Sequence, residues 1–144
     1  MKKILGEKSY VFIALLFMLS CTTTRSIAIE EGWELLGERK VNFLRDKDEI
    51  LVVSRNEFTA LRFKVENRDI RLNYLKIYFR SGDILQPAID EVINSNQSSK
   101  IIELEREGRP IDKLEFKYRT TGGNVLTGRA NVLVFGKRYY PGGY

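Results

Sequence analysis

The chain has 144 residues, of which 43% are hydrophobic and 30% charged, with a formal net charge of +5, a single cysteine and no histidine. That is enough apolar material for one domain with its own core, and too little chain for two. Without histidine and with one thiol, Ser-His-Asp and Cys-His catalysis, the usual zinc ligand sets and an internal disulfide are excluded, and no cofactor is expected.

Lys2, Lys3 and Lys8 precede an apolar run over 11–19 that closes on Ser20-Cys21, the charged, apolar and small-residue succession of an export signal. The run is short for a membrane span. Met18-Leu19-Ser20-Cys21 resembles the bacterial lipobox, with Met18 where leucine is commoner. This predicts a signal peptide over 1–20, acylation of Cys21, and a polar tether over 21–31. The partner of the amino end is then a membrane, reached through lipid. The location is the bacterial cell envelope, at the outer membrane or periplasmic face. An ordinary secretory signal or an uncleaved anchor is the alternative. Removal of the signal takes away three lysines and one glutamate, so the net charge falls from +5 to +3. The remaining basic residues alternate with acidic ones, which argues against nucleic acid as a partner.

Beyond the tether the period is two. Trp33, Leu35, Val41 and Phe43 alternate with charged residues around an irregularity at Gly37, predicting a long first strand on which Trp33 and Phe43 share a face. Residues 45–48 read as a charged turn, and 50–53 as a short strand apolar on both faces, hence covered. Leu61, Phe63 and Val65, then Leu75, Ile77 and Phe79, alternate on either side of Asn67-Arg68-Asp69; this predicts a strand, a turn and a strand, continued as a meander past Ser81-Gly82-Asp83. Residues 84–93 fit a helical spacing led by Pro87, and an edge strand ending near Ile89 fits almost as well. Residues 94–99 are a loop, and 101–105 begin another strand. Leu114, Phe116 and Tyr118 alternate with Lys113, Glu115 and Lys117 in the cleanest pattern of the chain. A loop at 122–124, a short strand at 125–126 and a last strand at 129–135 follow, with 137–144 as a frayed tail. Seven or eight short strands without a long helix predict an all-β, single antiparallel β-sandwich or jelly-roll-like domain over 32–136.

The run from Trp33 to Phe43, then Asp46-Lys47-Asp48-Glu49-Ile50, Gly108-Arg109-Pro110-Ile111, Leu114 to Arg119 and Gly128-Arg129-Ala130, resembles an uncharacterised family of small exported bacterial β-domains. The resemblance implies the fold and brings no catalytic residues with it.

Three candidate sites stand beside plainer readings. Asp46, Asp48 and Glu49 are closely spaced oxygen donors of the kind calcium takes, but Arg45 and Lys47 interrupt them, and a solvated turn is favoured over a metal site. Glu103, Glu105 and Glu107, with Asp90 or Glu91, would suit acid-base work, though alternating glutamates ordinarily form the wet face of a strand. Leu72, Tyr74 and Tyr78 fall opposite Leu75, Ile77 and Phe79, leaving two aromatic rings on a second face. If the neighbouring strands pair, Arg62, Lys64, Lys76 and Arg80 surround those rings and suit an anionic polymer; a strand covered on both faces is the plainer reading. The sequence thus points to a non-catalytic, lipid-anchored envelope protein, first a protein-binding or assembly module, alternatively one that binds glycan or anionic polymer, and least a carboxylate-dependent hydrolase.

Overall fold

A computed structural model describes residues 27–42, 47–121 and 128–142. The export-type segment, Cys21, Phe43, Asp46 and the expected strand at 125–126 lie outside the described residues.

Nine strands follow one another without a helix among the described residues: β1 (Trp33–Asn42), β2 (Lys47–Leu51), β3 (Glu57–Glu66), β4 (Ile70–Phe79), β5 (Ile84–Leu85), β6 (Glu91–Ile93), β7 (Ile102–Glu103), β8 (Arg109–Thr120) and β9 (Arg129–Arg138). All pairings are antiparallel, in the order β1-β9-β3-β8-β4-β5, with β2 beside β8, β6 beside β4 and β7 beside β3. The sheet is folded on itself along β8. Arg109 and Pro110 pair with Phe58 and Glu57 of β3, whereas the rest of β8 runs between β4 and β2. A strand that changes neighbours in this way turns a corner between packed layers. One layer is β1, β9, β3 and β7; the other is β2, β8, β4, β5 and β6. The expected all-β sandwich is borne out.

The period-two apolar positions meet between the layers. Leu61, Phe63 and Val65 of β3 and Val132 and Val134 of β9 pack on Leu72, Leu75 and Ile77 of β4 and Leu114, Phe116 and Tyr118 of β8. The Phe63 and Phe116 rings meet edge to face at 5.7 Å. Burial of such side chains contributes about 1.5–3 kcal/mol each. A smaller cluster of Trp33, Ala60, Leu133 and Phe135 occupies the outer side of the first layer, with Ile27 and Leu35 against it. The expected irregularity at Gly37 is a bulge. A Cβ there would stand 2.5 Å from Ile50 Cγ2, so β1 crosses β2 closely only because that side chain is missing.

Several local expectations are corrected. β3 and β4 form no hairpin, because β9 and the segment ending in β7 occupy both edges of β3. Their apolar sides meet across the core, and Asn67, at φ 75°, helps to carry the chain from one layer to the other. Of the meander, only the β4–β5 pairing forms. Leu72 is core and shares no face with Tyr74 and Tyr78, since a register shift between Leu72 and Tyr74 reverses the alternation at Asn73. Lys47 and Asp48 belong to β2, an edge strand, and Leu51 and Val53 are 66% and 87% exposed where a covered strand was expected. Residues 84–93 hold two short strands around Pro87. β9 continues two residues past Gly136.

Candidate functional site

β8 lies between β2 and β4, and antiparallel register sets side chains of the three strands directly opposite one another. On the outer face this gives three rows: Lys47, Lys117 and Tyr74; Glu49, Glu115 and Lys76; Leu51, Lys113 and Tyr78. Two of the cross-strand pairs, Lys47 with Lys117 and Glu49 with Glu115, are like-charged and unfavourable as such. The side chains therefore lean across the rows. Lys47 Nζ reaches Glu115 at 3.0 Å and Lys113 Nζ reaches Glu49 at 3.6 Å. The Tyr78 hydroxyl donates to Glu115 at 3.4 Å.

The remaining cationic charge rests on aromatic rings. Lys117 Nζ stands 4.8 Å from the Tyr74 centroid, while Lys113 and Lys76 stand 4.4 and 5.2 Å from that of Tyr78, within the range of cation–π attraction. Glu115 is only 8% exposed. Burial pushes its carboxyl up, but the hydrogen bond and charge of Lys47, with help from Tyr78 and Lys76, outweigh that and hold it below the usual range. The same bond from Glu115 raises Lys47, and the bond to Tyr78 raises Lys76.

Beyond the lysine rows Arg119 faces Arg71 across the β4–β8 pairing. Arg71 is held by Asp90 through two bonds of 2.7 Å, which raise the guanidinium and lower the carboxyl. Arg119 is exposed and has no ionic partner among the described residues. An open groove of about 620 Å³ lies here, lined by Arg71, Asn73, Arg119 and Thr120, and a second of about 490 Å³ passes Tyr74 and Pro87. Both include Asn73 and Asp90, so the two grooves adjoin beside Tyr74. Such an arrangement can hold anions along a line.

Of the residues read from the sequence as a binding face, Tyr74, Tyr78 and Lys76 come together. Arg62 and Lys64 do not, because β3 belongs to the other layer; Arg62 stacks 4.5 Å over Trp33 and pairs with Glu30 at 3.1 Å. Arg80 donates to the carbonyls of Val52 and Ser54. Lys47, Lys113, Lys117 and Glu115 escape sequence reasoning, although the alternation of β8 already places three of them on one face. Asp48 and Glu49 turn to opposite sides of β2, the first accepting the Tyr118 hydroxyl at 2.6 Å, which separates them as metal donors. Among the described residues no cluster of three metal-ligating side chains forms. Asp90 is taken by Arg71, Glu91 by the Lys100 amide and Glu105 by Arg109, while Glu103, Glu105 and Glu107 are exposed.

Residues 11–136 match the family described as Domain of unknown function (DUF2541). The chain belongs to this family. The DUF2541 match runs from inside the apolar amino-terminal run to Gly136 in β9, and the expected membership of an uncharacterised family of β-domains is borne out. No curated protein matches the chain. Among solved structures the DUF2541 chain is similar to AlgX of Pseudomonas aeruginosa, at 12% identity and a TM-score of 0.44, over 84% of this chain and 29% of that one. A likeness this loose, to a chain of which less than a third is covered, bears no functional argument.

Proposed function

We propose that the protein is a non-catalytic binding module of the bacterial envelope, held there by acyl chains on Cys21, and that it takes an acidic polysaccharide across the outer face of β2, β8 and β4. The observation that carries this reading is the placement of lysine ammonium groups over Tyr74 and Tyr78. A neutral sugar would have to compete with those ammonium groups for the rings, whereas an anion meets four lysines and Arg119. The centre of a protein interface is depleted in lysine and rich in apolar surface; this face has the opposite composition. Glu49 and Glu115 between the lysines suit a polymer with spaced charges better than the dense phosphates of nucleic acid. Absence of histidine and the engagement of Asp90, Glu91 and Glu105 support a role without turnover.

The test is titration of the full-length protein, in detergent, with a glucuronic acid polymer and a neutral glucose polymer. Saturable, salt-sensitive binding of the acidic polymer alone is expected, and Lys113→Gln combined with Lys117→Gln should weaken it several-fold with little change in melting. Equal capture of the neutral polymer, or no loss in the double variant, overturns the proposal. Mass spectrometry of the amino-terminal peptide tests the anchor: an unmodified Cys21 in the membrane fraction sinks it. A protein partner is the second reading, favoured by Leu51 and Val53, exposed together at the end of β2; envelope cross-linking from Val53 decides it.

A further inference from the structure

The end of β9 forms a second site, apart from the lysine rows. The Arg138 amide donates to Gly32 at 2.9 Å and the Tyr139 amide to Glu57 at 2.8 Å, pinning the segment between the start of β1 and the start of β3. Tyr139 fills the space over Gly108, where a Cβ would stand 2.5 Å from its own. Tyr140 turns outward, 47% exposed, with the Arg138 guanidinium 5.6 Å from its ring. Two open grooves include this ridge. One, of about 700 Å³, includes Glu31, Thr59 and Lys137; the other, of about 340 Å³, includes Arg55, Asn56 and Glu57.

The charges here are unpaired, unlike those of Arg62, Arg71 and Arg109, each of which has a carboxylate partner. Arg138 Nε is buried without a hydrogen-bond acceptor, as Arg62 Nε is, but Arg138 has no carboxylate paired with it among the described residues and lines both grooves, so its guanidinium lacks a counter-charge there. Arg55, Lys137 and Arg138 have no ion pair among the described residues, and neither have Glu31 and Glu57. Three cations favour an anionic group. The two carboxylates repel a ligand that is anionic throughout, yet accept hydrogen bonds from hydroxyl groups. The outward ring of Tyr140 offers a flat apolar surface. One ligand class meets all three conditions. We propose that the Arg138–Tyr140 ridge binds an acidic sugar, its anionic group on the guanidinium of Arg138, its hydroxyls towards Glu31 or Glu57, and its ring against Tyr140.

The experiment is amide and arginine side-chain NMR of the isotope-labelled full-length protein in micelles, titrated with glucuronic acid trimer, glucose trimer, glutamate tripeptide and inorganic phosphate. The glucuronate should shift Gly32, Glu57 and Tyr140 saturably and move the Arg138 Nε–H, at least fivefold more tightly than any other probe. Arg138→Gln and Tyr140→Ala should each weaken it at least fivefold; the half-exposed Tyr140 gives a variant that keeps the fold should Arg138→Gln unfold it. Equal affinity for phosphate marks a plain anion site, equal affinity for the tripeptide marks a peptide site, and either overturns the proposal, as does the absence of saturable shifts at these amides. Binding at the lysine rows reads out on the amides of residues 113–117, so the two sites fail or stand separately.

Discussion

Glu115 and Lys47 are ion-paired at 3.0 Å, yet their neutralisation should drive ligand binding in opposite directions while moving stability in the same one. Glu115→Gln keeps the side-chain shape and removes a negative charge from the centre of the lysine rows; Lys47→Gln removes a positive one. The Lys47 side chain is 45% exposed and that of Glu115 10%, so water screens the pair from the lysine side, and Glu115→Gln should lower the midpoint of a urea melt only modestly. Lys47→Gln should also destabilise, because Glu115 then keeps only Tyr78 and nearby Lys76 in a buried position. For binding, one unit charge about 6 Å from a ligand carboxylate changes affinity about 2.5-fold near 10 mM salt, and less than twofold near 150 mM. Calorimetric titration with a glucuronic acid polymer at both salt levels should therefore show Glu115→Gln tighter and Lys47→Gln weaker than the parent, with the gap narrowing in salt. A shift of both variants in one direction would refute the reasoning, since it would mean that the face acts through folding and not through charge.

Phe63→Ala and Phe116→Ala should each cost about 3–5 kcal/mol, whereas Lys117→Ala should stay within about 0.5 kcal/mol in the same denaturant melts; a lysine change as damaging as either phenylalanine would contradict the core assignment. Gly37→Ala should cost about 1–3 kcal/mol through its clash with Ile50, and Ile50→Ala in the same chain should recover part of that. Simple additivity of the two would show that they do not meet. Because the folded Glu115 carboxyl is lowered, its contribution is present above the unfolded value near about 4.3 and is lost as pH falls through the folded one. Acid titration of stability should consequently be shallower in Glu115→Gln. Asp90, lowered by Arg71, adds a slope of the same sign, so Asp90→Asn is the control, and an unchanged profile for Glu115→Gln would argue against the Lys47–Glu115 pair.

The faces of single strands were legible where apolar and charged residues alternate strictly. Phe63 and Phe116 are core, and Lys113, Glu115 and Lys117 share the opposite side of β8, as their spacing implies. What alternation does not encode is neighbourhood. β3 and β4 resemble a hairpin because Asn67-Arg68-Asp69 is a good turn, but β9, apolar on both sides, competes for the edge of β3 and wins. Asn73 shows a second limit: with Leu72, Tyr74 and Leu75 all apolar, nothing local marks where the register slips. Residues 84–93 show a third, since strands of two and three residues are too short to display a period. The lysine rows needed the register of three strands at once, so Lys76 and the two tyrosines could be named while their partners on β2 and β8 could not.

The position of β9 governs how the chain can acquire its structure. The last strand inserts between β1 and β3, so one edge of each stays unpaired until residues 129–138 are present. Closure over such a sequence separation is slow compared with local hairpins, and a chain that lacks β9 presents two unsatisfied sheet edges, that of β3 carrying Phe58, Phe63 and Val65. Completion of the first layer thus waits on residues 129–138, which supply the strand between β1 and β3. A truncation just before Gly128 should therefore fail to give a cooperative melt, whereas a cooperative transition in that fragment would show that the first layer closes without β9.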